Sequence, residues 1–225
     1  MSGSAAAPGE LSYDLYWSFR SPYSYLLTPR LVALERDYAV RANVRVVTPI
    51  AVRQPDFFAH ADPLWAPYLL RDTHRTAQFL VLDFRWPRPD PVVMDRATRT
   101  YPAEQPYIHR LCRLGQLAAE RGRGLAFLAA ISRTIWDGHT DAWHEGDHLA
   151  RAAAEAGCDL AEMDRAVVAE ATRLDAALRA NEAAQREGGH YGVPLMVFGD
   201  EPFFGQDRFD QLVWRMEAAG LQRRS

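Results

Sequence analysis

From Leu11 the apolar residues fall on alternate positions: Leu11, Tyr13, Leu15, Trp17 and Phe19. A period of two with aromatic enrichment predicts a half-buried strand over 11–19. The pattern stops at Arg20-Ser21-Pro22. Ser21 is a favoured helix N-cap, and Pro22 suits the first helical position because it has no N–H to lose. Tyr25, Leu26, Leu31, Val32 and Leu34 then form a stripe that predicts a helix to about Tyr38. A second strand is expected over Val44–Thr48, ended by Pro49. The chain therefore opens β-α-β, a unit that pairs parallel strands across a right-handed crossover.

Beyond this unit the period changes. From about Ala51 to Glu187 helical signatures are separated by breaks at Pro87, Pro89, Pro91 and Gly138, with no convincing strand. The clearest helices are 105–121, 125–136, 147–156 and 161–186, the last with a break. Strand character returns at Pro194–Phe198, then a Gly-Asp turn, then Glu201–Phe204. An amphipathic helix from about Gln206 to Ala219, ended by Gly220, closes the pattern. This layout predicts an α/β fold of the thioredoxin-like type with an inserted all-helical domain. Residues 11–50 and 188–225 would form the thioredoxin-like domain, 51–187 the insertion, and 1–10 a flexible arm that does not resemble a signal peptide.

Composition adds exclusions. A 48% hydrophobic, 24% charged chain is an ordinary globular one, and a net charge of -3 gives no footing for nucleic acid. All 26 basic residues are arginine. The longest apolar stretch, around Gly124–Ile131, is far too short for a membrane span. Cys112 and Cys158 make neither a CxxC nor a metal-ligand spacing, which points to a reducing, cytoplasmic setting. The histidines and acids of Asp137-Gly-His-Thr-Asp-Ala-Trp-His-Glu-Gly-Asp-His148 fit no compact ligand set, so no metal is expected.

Two stretches carry a family resemblance. Tyr16-Trp-Ser-Phe-Arg-Ser21-Pro-Tyr-Ser-Tyr25 resembles the first signature of the kappa-class glutathione transferases and 2-hydroxychromene-2-carboxylate isomerases, in the DsbA-like branch of the thioredoxin superfamily. Gly192-Val-Pro-Leu-Met-Val-Phe-Gly-Asp-Glu201, followed by Phe204-Gly-Gln-Asp-Arg208, resembles the second. The resemblance implies that Ser21 is catalytic and that glutathione, or another low-molecular-weight thiol, is the cofactor. It places Pro22, Val193 and a cis Pro194 along the bound thiol, Val193 offering backbone groups to an extended peptide, and Gln206 and Asp207 at the γ-glutamyl end. It also implies a homodimer acting on a small aromatic or heterocyclic substrate, while the low net charge and short apolar runs give no reason to expect a nucleic-acid or membrane partner.

The residues themselves fit this chemistry. A serine at a helix start can donate to sulfur while nearby N–H groups and the helix dipole favour the anion. A free thiol with a pKa of ~8.5 is mostly protonated at neutral pH, and a helix N-terminus lowers that value. A plain capping role fits Ser21 and Ser24 as well, and Gln206-Asp207-Arg208 would suit any first helical turn. The chain departs from its relatives at Ser18, often aspartate there, and at Arg20, which replaces an apolar residue. It has no lysine to match the one by which the insertion of the kappa enzymes meets glutathione; Trp65 falls near that place. Arg20, Arg53 or Arg71 could substitute electrostatically. Arg20, Trp65 and Tyr101, the last in Tyr101-Pro-Ala-Glu-Gln-Pro-Tyr-Ile-His109, are possible substrate contacts. The expected activity is a redox-inactive, glutathione-dependent isomerase of an aromatic or fused-ring oxygen heterocycle. The alternatives are a kappa-like transferase and a non-catalytic binding or assembly protein.

Overall fold

A computed structural model describes residues 10–95 and 100–224, so the expected N-terminal arm lies outside the described residues except for Glu10. The four strands β1 (Leu11–Trp17), β2 (Val40–Val46), β3 (Leu195–Phe198) and β4 (Glu201–Phe204) form one sheet in the order β2-β1-β3-β4. β1 runs parallel to β2 and antiparallel to β3, with Leu15 opposite both Val44 and Met196. The parallel pair is joined by helix α1 (Pro22–Asp37), the expected crossover.

Two strand boundaries differ from expectation, each for a local reason. β1 ends at Trp17, because the Ser18 carbonyl turns to accept the Ser21 N–H at 3.1 Å. β2 begins at Val40, not Val44: Arg41, Asn43 and Arg45 alternate with Val40, Ala42, Val44 and Val46, and the polar members masked the strand. It stops at Val46, and the Thr48 N–H goes to the Glu182 side chain at 3.1 Å.

Between β2 and β3 the described chain is helical: α2 (Ile50–Arg53), a 3-10 turn (Pro55–His60), α3 (Trp65–Phe79), α4 (Ile108–Glu120), α5 (Gly124–Trp136), α6 (His148–Glu155), α7 (Leu160–Ala169) and α8 (Ala171–Glu187). The break expected within 161–186 falls at Glu170, which ends α7 and precedes α8. Helix α9 (Phe209–Ala218) follows a 3-10 turn at Gln206–Arg208. Among the described residues no helix is long and apolar enough to cross a membrane.

One apolar core runs through both layers, joining Leu15, Trp17 and Phe19 to Leu111, Leu128 and Trp136. Gly115 lets α4 come down on the sheet, since a Cβ there would sit 2.8 Å from the Phe19 ring. Two forked ion pairs, Arg110–Asp164 and Arg113–Asp175, tie α4 to α7 and α8. Beneath them Asn181, buried on α8, donates to the Val46 carbonyl at 2.9 Å and to the Gln116 side chain at 2.8 Å. Replacing Asn181 by leucine takes the donor away from both acceptors. The Asn181→Leu chain is expected to lose about 1–3 kcal/mol, read as a lower urea midpoint at unchanged slope.

Candidate active site

The turn from β1 into α1 is held from two sides. On the sheet side, Trp17 Nε1 donates to the Ser24 carbonyl at 3.2 Å and to Thr28 Oγ1 at 3.1 Å, pinning the first turns of α1. On the helical side, Trp136 Nε1 donates to the Phe19 carbonyl at 2.9 Å, and its ring lies against Tyr25, Phe84 and Trp86. Between these anchors stands Ser21. It is the N-cap of α1, in extended conformation, and its Oγ accepts the Ser24 N–H at 3.2 Å. Its own proton is donated to the Val193 carbonyl at 3.3 Å. An O–H···O bond normally spans about 2.7–2.8 Å, so this one is weak and leaves the hydroxyl available to a better acceptor.

Val193 precedes Pro194 through a cis peptide bond, as the resemblance implied; Arg88–Pro89 is cis as well, which the sequence did not suggest. The Pro194 carbonyl accepts the Gly205 N–H at 2.9 Å, fastening this turn to the end of β4. Ser21 and Val193 therefore face each other across the junction of two segments that are distant in sequence but adjacent in the sheet.

They lie at a cleft of about 410 Å³ between the sheet end and the helices. Arg20, Ser21, Pro22, Trp65 and Val193, all singled out from the sequence, line it. Arg53 also reaches it, whereas Arg71 does not. The remaining walls are largely aromatic: Tyr23, Phe57, Phe58, Tyr68, Tyr191 and Phe204. Of these only Phe204 lay in a quoted signature as a framing residue, and only Tyr23 in the other. The Phe57-Phe58 pair and the Tyr191 next to Gly192-Val-Pro were the available signals.

Four expected contacts do not line the cleft, the first being Pro194, which follows Val193 out of it. Gln206 is engaged by Arg30, whose Nη2 donates to the Gln206 side chain at 2.7 Å and also to its backbone carbonyl. Asp207 is exposed and paired with Arg208 at 2.9 Å. Tyr101 sits behind the wall, its ring 6.2 Å from Phe58. Arg20, though on the cleft, is forked onto Asp90 at 2.8 and 3.2 Å and lies over the Trp86 ring. Its charge is thus largely answered within the protein.

The start of α1 leaves one backbone N–H open beside Ser21. Pro22 has no N–H, the Ser24 N–H is taken by Ser21 Oγ, and the Tyr25 N–H by the Ser21 carbonyl. Tyr23 is left as the first-turn residue whose N–H can serve a ligand. The Tyr23 phenol is pushed well up by burial and by its bond to Asp72 at 2.5 Å, so it stays protonated. Of the free cysteines, Cys112 is buried in α4 with its thiol pushed far up by desolvation, and Cys158 is part-buried with its thiol raised by the same cause. Neither lines the cleft. In the histidine-rich loop, His139 is paired with Asp83 and His148 with Arg151, and no metal-holding group occurs among the described residues.

The chain belongs to the DSBA-like thioredoxin domain family, whose pattern matches residues 13–217. Among solved structures it is similar to a 2-hydroxychromene-2-carboxylate isomerase, at 23% identity and a TM-score of 0.67 over 93% of this chain and 96% of the other. It is similar also to a probable DsbA oxidoreductase from Streptomyces coelicolor, at 20% identity and a TM-score of 0.61, over 92% of this chain and 89% of the other. A third is the cytosolic disulfide reductase DsbM from Pseudomonas aeruginosa with glutathione, at 18% identity and a TM-score of 0.57, over 93% of this chain and 100% of the other. At these identities the likeness is one of fold. No curated protein matches the chain.

Proposed function

We propose that the protein is a glutathione-dependent isomerase of an aromatic or fused-ring oxygen heterocycle, in which Ser21 ionises the bound thiol. The observation that carries this reading is the weakly used Ser21 hydroxyl, held at the start of α1 with its proton directed at Val193. The residues present suit the thiol end of glutathione. Ser21 Oγ would donate to sulfur, the Tyr23 N–H would face the anion, and Val193 would meet the peptide backbone. When bound, glutathione would supply a thiolate nucleophile for a conjugated carbon of the heterocycle. Ser21 would give up the Val193 carbonyl for this sulfur and keep its own proton throughout. The aromatic wall of Phe57, Phe58, Trp65 and Tyr68 would hold a flat ring and exclude water.

Two of the similar structures are named as oxidoreductase or reductase, but thiol–disulfide exchange needs an attacking thiolate. Here the helix starts Ser21-Pro22-Tyr23-Ser24, and both cysteines lie away from it. Free cysteines suit the reducing interior of a cell. The engagement of Gln206 by Arg30 and the outward position of Asp207 favour a second reading, a ligand-binding protein without turnover.

Titration of the full chain with glutathione tests both. The expected result is saturable binding with release of close to one proton per site at neutral pH, because a thiol of pKa ~8.5 becomes a thiolate. Absence of saturable binding would remove glutathione from the site. Binding without proton release or thiolate absorbance would leave the ligand-binding reading. Tripeptide retained in the product would identify a transferase.

A further inference from the structure

The turn that presents Val193 is fastened by side chains from three places. Arg53 of α2 donates to the Tyr191 carbonyl at 2.7 Å. Gln185 of α8, fully buried, donates to the Gly192 carbonyl at 2.7 Å. The third fastening runs the other way: the Gly192 N–H donates to His190 Nδ1 at 2.9 Å. The His190 ring is sandwiched, 3.7 Å from the Phe204 ring on β4 and 4.7 Å from Tyr191. Gly192 is required beneath this stack, since a Cβ there would lie 2.5 Å from the Phe204 ring and 3.1 Å from His190 Cε1.

A ring nitrogen that accepts a backbone N–H has no proton of its own, so the imidazole proton sits on Nε2. Protonation would place N–H against N–H, and the bond would become a repulsion. Arg53 and Gln185 cannot make this change; of the three fastenings, His190 alone titrates near neutrality. We propose that His190 is a positioning residue that holds the Gly192–Val193–Pro194 turn, and with it the Val193 carbonyl opposite Ser21, only while its imidazole is neutral. The importance of this for ligand binding rests on the thiol reading of the Ser21–Val193 site.

The surroundings leave the ring to titrate by itself. Phe204 carries no charge, the Tyr191 phenol lies on the other face, and the Arg53 guanidinium is turned to the Tyr191 carbonyl and Gln185. Burial lowers the His190 pKa from its ordinary value, and no charged neighbour contributes. Loss of the fastening is therefore placed on the acid side of the usual histidine range, about 6.5.

The test uses the ¹⁵N-labelled full chain, His190→Asn and His190→Phe, with glutathione as the probe. Asparagine keeps an acceptor for the N–H two residues on, as an Asx turn, and does not titrate. Phenylalanine keeps the stack and removes the acceptor. In the wild type, the Gly192 amide resonance should shift with the His190 titration, and glutathione affinity should fall about two- to tenfold on the acid side of it. In His190→Asn the amide should be insensitive to pH over this interval, with affinity near that of the neutral wild type. Comparison with this variant removes the thiol's own titration. His190→Phe should show the weakened affinity at every pH. A Gly192 amide that ignores the His190 titration, or a His190→Phe chain with wild-type affinity and pH profile, would overturn the proposal. If glutathione fails to bind the wild type at any pH, the thiol reading falls, while the Gly192 amide in wild type against His190→Asn still decides the fastening.

Discussion

Replacing Ser21 by alanine is expected to lower catalytic efficiency by about ten- to a hundredfold or more, while the chain remains folded. The estimate follows from losing a hydrogen bond to a charged sulfur, roughly 1.5–3 kcal/mol, all of it expressed when thiolate is present. The variant also loses the cap that receives the Ser24 N–H, a cost of ~1 kcal/mol to α1. The two losses separate experimentally. Thermal unfolding reads the cap, and the ultraviolet absorbance of bound thiolate reads the donor, with a raised apparent pKa for the bound thiol. A stability drop with unchanged thiolate and turnover would reduce Ser21 to a cap. Ser21→Cys adds a chemical check, since a thiolate opposite Val193 could attack glutathione disulfide, forming a mixed disulfide and releasing one glutathione thiol.

Trp136→Ala is expected to be the most destabilising change considered. The side chain is 1% exposed, packs against Tyr25, Phe84 and Trp86, and donates to the Phe19 carbonyl. Truncating a buried tryptophan costs about 3–5 kcal/mol through lost burial and the cavity left behind. Trp136→Phe keeps an aromatic ring in place but strips the Phe19 carbonyl of its donor, for about 1–3 kcal/mol. Denaturant midpoints of the two variants should fall in that order. Because Phe19 lies two residues before Ser21, a folded Trp136→Phe chain should also bind glutathione more weakly. Equal stabilities for the two variants would mean that the indole N–H, and not the ring volume, is what matters.

How far the sequence could be read depended on the kind of signal. The β1–α1 junction was legible because three local rules coincide there: alternation ends, a serine caps, and a proline opens the helix. The break between α7 and α8 was visible in outline, and it falls at Glu170. β2 was placed too late because Arg41, Asn43 and Arg45 interrupt its apolar positions, and an edge strand needs only one apolar face. The aromatic wall could not be assembled from the sequence. Phe57 comes from the 3-10 turn, Trp65 and Tyr68 from α3 and Tyr191 from the segment before β3, and only the tertiary packing brings them to one cleft. The same holds for charge. Arg20 looked free in the sequence, and the structure gives it to Asp90, a partner far along the chain that no spacing rule would select.

The forked pairs that bind α4 to its neighbours have a consequence for the acidity range the fold tolerates. Every cation in them is a guanidinium, which keeps its proton through pH 12, where ammonium groups have already lost theirs. Alkali therefore leaves Arg113–Asp175 intact. The vulnerable partner is the carboxylate. The Arg113 guanidinium forked onto Asp175 holds its carboxyl below the usual range, so the contribution of the pair is complete above the unfolded carboxyl value. It is lost as the pH falls through the depressed one. The tie between α4 and α8 is thus a lock that opens from one side of the pH scale: acid can undo it, and base within the range of ordinary biochemistry cannot.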